Sequence, residues 1–294
     1  MPELPEVETI RRGLLKYLPG RKIAHIEVKC PKLLINCSAE ELERTLKGQS
    51  YADLNRLGKI LIIKCGRHSL LVRLGMTGQL TFRDPEKPDS NEFKIHPVTG
   101  LQRNESQFAP DKHTHIILSH EDGTSLCYRD IRKFGRWYLY ANEALDSSPE
   151  LMSLGPDPFR ADYTLENLRK SLHKTARAIK TALLDQSVVC GLGNIYADEA
   201  LFAAKILPQR PAGSLTEAEL ERLYAAVKPI LQSSIDNRGT TFSDYRDADG
   251  NKGENVGSLK VYGRSGKACP LCGETLVKAS IGGRTSTWCP KCQH

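Results

Sequence analysis

Residues 178–202 read AIKTALLDQSVVCGLGNIYADEALF. Ala178–Asp185 has the make-up of one helix and Ile195–Phe202 that of the next, with Gly191-Leu192-Gly193-Asn194 as the turn between them. Glycine lets a backbone approach a phosphate, and the N-terminus of the following helix favours negative charge. A helix-turn-helix of this kind grips a nucleic-acid backbone without reading its sequence. A tight turn with no ligand fits the same four residues; Lys174, Arg177 and Lys180 nearby favour the phosphate reading.

Helical patterning extends outward over residues 164–236. Thr164 and Thr216 suit N-caps, and Thr216-Glu217-Ala218-Glu219 fits a capping box ahead of the stripe Leu220, Leu223, Val227, Leu231, with Pro229 as a kink point. Residues 237–256 are rich in Gly, Asp and Asn and read as a mobile connection. Gly155-Pro156-Asp157-Pro158 marks a boundary or hinge. Upstream, from about 22 to 140, the pattern is short β-runs: Ile60–Lys64 and Leu70–Leu74 about a turn, His115–Ser119 and Ser125–Tyr128 about another, then Arg136–Tyr140. Short strands with turn signals between them predict a β-sandwich. Residues 82–112 read as a long polar surface loop, and 6–18 as an amphipathic helix through Val7, Ile10, Leu14 and Leu18. The expected class is α+β: an N-terminal β-sandwich with a flanking helix over 1–150, a helical domain over 151–256, and a small third unit over 257–294.

That third unit carries Cys269-x2-Cys272 and Cys289-x2-Cys292, separated by 16 residues. Two such pairs converge from two turns on one tetrahedral zinc. The interval reads as a β-hairpin through Ser280-Ile281-Gly282-Gly283 that presents Arg284. Four thiolates leave no open position, so the zinc is expected to be structural. The same unit holds six Lys/Arg against Glu274, within a chain of formal charge +7, which favours a polyanionic partner. The other five cysteines, Cys30, Cys37, Cys65, Cys127 and Cys190, are scattered, and nine in total argues against a disulfide framework. No run of 18 apolar residues exists, and the acidic, proline-rich start lacks the basic and apolar regions of a secretory signal, so a cytoplasmic protein is expected.

The start is itself chemically suggestive. Pro2 is small enough to permit removal of Met1, which would leave a secondary amine. An α-amino group titrates near pH 8, so a useful fraction is neutral at pH 7 and can attack an electrophilic carbon to give an iminium. Glu3 and Glu6 stand beside it for proton transfer. The alternative is that Met-Pro merely begins a helix.

Met1-Pro2-Glu3-Leu4-Pro5-Glu6-Val7-Glu8-Thr9 resembles the opening of the formamidopyrimidine-DNA glycosylases. The chain is similar to that family again at Gly58-Lys59, Leu74–Gly78, Lys112–His115, Asp130–Gly135, the Gly191–Glu199 turn and the Val261–Arg264 segment, in the family's order. The resemblance implies a helix-two-turn-helix and zinc-finger enzyme that removes oxidised purines from duplex DNA and cleaves the abasic strand. Pro2 would attack C1′, Glu3 would act as general acid and base, and Lys59 and Arg284 would hold phosphate and assist the eliminations. Asn194, His113 and Lys180 would contact DNA; Met76, Arg132 and Phe134 would fill the gap left by the flipped nucleotide. Damaged double-stranded DNA is the implied partner, one zinc the implied metal, and a monomer the implied state. Three departures stand out: residues 82–112 are longer than the family's loop, Lys133 replaces a common Arg, and Ala176 replaces a common basic residue. A damage-binding protein without catalysis and a zinc-ribbon interaction module are the competing readings.

Overall fold

The computed structural model describes residues 2–86, 93–95, 102–104 and 110–294, with only the backbone described at 93–95 and 102–104. β1 (Ile23–Val28), β8 (Thr114–His120), β9 (Ser125–Asp130) and β5 (Gly78–Arg83) form one antiparallel sheet in the order β1-β8-β9-β5. The second runs β10-β4-β3-β2, from Arg136–Ala141, His68–Arg73, Ile60–Cys65 and Tyr51–Leu57. These face each other as the expected sandwich. The unbroken apolar runs of β3 and β4 have a simple cause. Leu61, Ile63, Leu70 and Val72 point into the sandwich core, while Ile60, Ile62 and Leu71 pack outward against Tyr138 and Leu145. Both faces are covered, so alternation is lost.

Helix α1 (Leu4–Leu14) joins two cores. Val7, Ile10 and Leu14 lie in the sandwich core, while Leu4 belongs to the core of the helical domain. Each such side chain contributes about 1.5–3 kcal/mol on burial. α2 (Ala39–Leu46), which the sequence reading did not anticipate, is capped by Ser38. α3 (Pro149–Met152), α4 (Leu165–His173), α5 (Ile179–Leu184), α6 (Asn194–Ala204) and α7 (Glu217–Asp236) follow, with the Thr216 capping box present. α6 is buried along nearly its whole length, with Ala203 its one exposed residue, as a central helix of a bundle must be. β11 (Val277–Ile281) and β12 (Arg284–Trp288) make the terminal hairpin, turning at Gly282-Gly283, both with positive φ. A two-residue hairpin turn with two left-handed positions suits the strand twist.

Two expectations change. Within 82–112, Phe93–Ile95 (β6) pairs with Gln102–Asn104 (β7), and β5 runs on to Arg83; residues 87–92, 96–101 and 105–109 lie outside the described residues. Residues 237–256 are not a detached connection. Tyr245 and Ala248 sit in the sandwich core, the Thr240 amide donates to Glu6, and the Phe82 amide donates to the Ala248 carbonyl. Among the described residues no helix is long and apolar enough to cross a membrane.

Candidate active site

The turn before α6 does hold an anion, but the anion is the protein's own. Glu3 is 2 % exposed, and its carboxylate accepts the Gly193 amide at 2.7 Å and the Ile195 amide at 3.0 Å. These are free donors of the first helical turn, where the macrodipole also favours negative charge. Gly193 is required for this fit: a Cβ there would lie 2.5 Å from Glu3 Oε1 and 2.8 Å from its Cγ. Gly191, with φ +99°, makes room for Leu4. The Gly193 and Gly191 amides are thus taken by the protein's own Glu3 and Gln186, and the glycines seat the N-terminal segment on α6.

Glu6 lies directly beneath. It is fully buried and accepts the Glu3 amide, the Tyr196 hydroxyl and the Thr240 amide at 2.6–2.8 Å. Burial and the neighbouring Glu3 charge push its carboxyl up to about 7.

Lys59 arrives from the sandwich. It occupies the second position of the two-residue turn between β2 and β3, after Gly58 with φ +54°. That tip presses on the α5–α6 turn, since a Cβ on Gly58 would come within 2.9 Å of the Cys190 side chain. Burial pulls the Lys59 ammonium down, with Glu3 and Glu6 opposing. Two cavities adjoin at this lysine. One, about 520 Å³, is lined by Pro2, Lys59, Arg73, Phe134 and Arg136; the other, about 680 Å³, by Glu3, Lys59, Met76, Asn194 and Arg284. Residues distant in sequence thus line two neighbouring cavities that share Lys59 and Leu184.

Met76, Arg132 and Phe134 also come together. The Arg132 guanidinium lies 4.5 Å from the centroid of the Phe134 ring and donates to Met76 Sδ at 3.1 Å. Phe134 is 50 % exposed, and Ile131 on the same loop is exposed as well. His113 is half-buried next to this loop, its carbonyl accepting the Asp130 amide.

Asn194 donates to the Thr285 carbonyl at 3.0 Å, which ties the start of α6 to the strand carrying Arg284. Lys180 does not reach the surface. It is fully buried, paired with Asp198 and bonded to the Asn194 carbonyl. Burial pulls the pair toward neutrality, lowering Lys180 and raising Asp198 to about 6. Asp198 also accepts the Thr287 amide, and Glu199 accepts the amides of Lys260, Val261 and Tyr262. The sequence reading passed over both acids. Their signal is two adjacent carboxylates on a helix with no exposed face, which demands buried partners.

The four Sγ atoms of Cys269, Cys272, Cys289 and Cys292 lie within 4.8 Å of one another, with Cys269–Cys292 at 3.9 Å and Cys272–Cys289 at 3.5 Å. Zinc–sulfur bonds of about 2.3 Å at tetrahedral angles put sulfurs roughly 3.8 Å apart, so the set fits one structural zinc. Amides of Leu271 and Cys292 donate to Cys269 and Cys289 sulfurs, as ligand thiolates require.

A β-sandwich, a helix–turn–helix unit and a four-cysteine hairpin, with cavities where they meet, define a multi-unit zinc-finger protein. The family profiles agree in order: the formamidopyrimidine-DNA glycosylase N-terminal domain matches residues 1–137, its H2TH domain 154–246, and the zinc finger found in FPG and IleRS 266–294. The chain belongs to the formamidopyrimidine-DNA glycosylase family. It is 41% identical to the formamidopyrimidine-DNA glycosylase of Pelotomaculum thermopropionicum over 100% of this chain and 99% of the relative. It is 42% identical to that of Moorella thermoacetica over 95% and 94%. Among solved structures, a mutant Lactococcus lactis enzyme in complex with Fapy-dG-containing DNA superposes with a TM-score of 0.87 at 33% identity, covering 100% of both chains. The Thermus thermophilus protein gives 0.83 at 34%, covering 99% and 98%.

Proposed function

We propose that this chain excises oxidised purines, 8-oxoguanine and formamidopyrimidines, from duplex DNA and then cleaves the abasic strand by β,δ-elimination. The observation that carries the reading is the position of Lys59, which lines one cavity with Pro2 and a neighbouring one with Glu3 and Arg284. Complexes of the similar Lactococcus lactis protein with DNA containing Fapy-dG or an abasic site support it.

Loss of Met1 frees the Pro2 amine. Its lone pair attacks C1′, the glycosidic bond breaks, and the bonding electrons leave with the base, which takes a proton from solvent. Glu3 accepts the proton that the Pro2 nitrogen sheds and returns it to O4′ as the C1′–O4′ bond breaks, leaving an iminium between C1′ and Pro2. The iminium acidifies the C2′ proton; its removal expels the 3′ phosphate, and a second elimination expels the 5′ phosphate. Lys59 and Arg284 hold these phosphates. Turning the nucleotide outward costs a few kcal/mol, offset by Phe134 and Met76 entering the stack while Arg132 meets the orphaned base. Asn194 and His113 contact the backbone. The buried Lys180 acts instead by fixing the start of α6. The zinc, when bound, holds the hairpin that carries Arg284. The enzyme works as a monomer at the nucleoid.

A denaturing-gel assay tests this. A duplex with one 8-oxoguanine should be cut to ends carrying 3′ and 5′ phosphates, and an oxidised pyrimidine should be cut far more slowly. Uncut oxoguanine strands, or equal rates on both lesions, would contradict the proposal.

A further inference from the structure

We infer that Asp130, with Thr77 and Tyr128, is a positioning lock that makes the Met76 loop and the Arg132–Phe134 loop one rigid wedge. The inference rests on the wedge reading above and assigns work to residues that reading leaves idle.

Asp130 closes β9 and is fully buried, at 0 % exposure. Its Oδ1 accepts the Thr77 hydroxyl and the Arg132 amide, and its Oδ2 accepts the Gly135 amide at 2.8 Å and the Tyr128 hydroxyl at 3.1 Å. The Thr77 hydroxyl and the Gly135 amide give it undivided hydrogen bonds, while the Arg132 amide divides its one proton with Thr77 Oγ1 and the Tyr128 hydroxyl divides its own with the Leu74 carbonyl. The same atoms close the gap between the loops. Thr77 Oγ1 also accepts the Arg132 amide at 3.0 Å, and the Tyr128 hydroxyl bonds the Leu74 carbonyl at 2.8 Å. Glycines permit this closeness. A Cβ on Gly75 would lie 2.7 Å from the Gly135 nitrogen, and one on Gly135 would collide with the Tyr128 hydroxyl. Between Asp130 and Gly135 the chain takes a left-handed turn at Lys133, φ +57°, a conformation that a lysine holds only when its surroundings impose it.

The carboxylate therefore fixes where Arg132 and Phe134 stand relative to Met76, although it does not line either of the two cavities. A wedge must displace a stacked pair, so its rigidity matters when the target is paired and matters little when the opposing base is missing.

The test compares Asp130→Asn and the milder Thr77→Val on two duplexes, one with the lesion opposite cytosine and one opposite an abasic position. Asn turns an NH2 group toward hydrogen-bond donors on one side, so the contacts of Thr77 and Arg132 or those of Gly135 and Tyr128 are lost. On the paired duplex, kcat/KM is expected to fall about tenfold or more, the equivalent of one charge-assisted hydrogen bond. On the unpaired duplex the fall should be much smaller. Phe134→Ala serves as the reference. If it shows the split between duplexes while Asp130→Asn and Thr77→Val lose equally on both, or lose nothing, the lock is refuted. If Phe134→Ala shows no split, the wedge reading fails and the lock with it.

Discussion

Gly193→Ala isolates the contact between Glu3 and α6. The backbone at Gly193 is extended, with φ −131°, so alanine adds no conformational strain. Its methyl group would fall on the Glu3 carboxyl, 2.5 Å from Oε1. Relief requires Glu3 to swing away from the Gly193 and Ile195 amides. Hydrogen bonds to a charged group are worth about 1.5–3 kcal/mol each, and partial compensation elsewhere leaves a loss of roughly 2–4 kcal/mol. For a chain of this size that lowers the melting temperature by several degrees, at about 2–4 °C per kcal/mol. The kinetic effect should be larger, because a misplaced general acid typically costs about 10²–10⁴ in rate. Single-turnover excision of 8-oxoguanine should therefore drop by about two orders of magnitude or more. Duplex affinity should persist, as should the Schiff base formed with a preformed abasic site. Excision at the parental rate, with alanine verified in place, would show that the Glu3 seat on α6 is irrelevant to chemistry.

Further outcomes follow from other contacts. Lys180→Met should cost about 3–5 kcal/mol by stranding Asp198 in the interior, yet leave the salt dependence of DNA binding unchanged; Arg284→Ala should instead reduce that slope by about one. A reduced slope in the Lys180 variant would return that lysine to the phosphate-binding set. Glu6 carries a pH signature. Its folded value of about 7 lies above 4.5, so the native state binds the extra proton and stability falls as pH rises from 4.5 through 7. The gap corresponds to roughly 3 kcal/mol. Denaturant melts of Glu6→Gln should show this decline flattened; an unaltered pH profile would refute the assignment. Chelating the metal, or Cys289→Ser, should weaken duplex binding and leave the sandwich core folded, read by affinity against melting of the N-terminal domain. Full affinity with zinc absent would make the finger dispensable.

The parts of the fold legible in sequence are those with local signals. The two Cys-x2-Cys pairs, the Thr216 capping box and the strand runs about Cys65–Arg67 all declare themselves within a few residues. What escaped was encoded across long separations. Nothing in Gly191-Leu192-Gly193 says that its anion is Glu3, 190 residues away. Tyr245 and Ala248 are core residues set among Arg, Asp and Asn, so composition points outward where packing points inward. Lys180 looked like a phosphate ligand because a lysine is rarely buried without a partner, and its partner Asp198 lies across the turn. At the site, resemblance named Pro2, Glu3, Lys59 and Arg284; the structure puts Pro2 and Lys59 on one cavity and Glu3, Lys59 and Arg284 on its neighbour. Asp130 stood within a quoted motif, but its work is visible only in the set of contacts it makes to Thr77, Tyr128, Arg132 and Gly135.

The central claim is that the Pro2 nitrogen bonds to C1′. Borohydride trapping on a duplex carrying one 8-oxoguanine, with the N-terminus sequenced by mass spectrometry, tests it most directly. The account requires a covalent protein–DNA adduct on Pro2 in chains that have lost Met1, and none in Pro2→Gly. An enzyme that lacks Met1, binds the duplex and yields no adduct, or an adduct mapped to a lysine, would contradict it and favour a damage-binding protein or a different nucleophile.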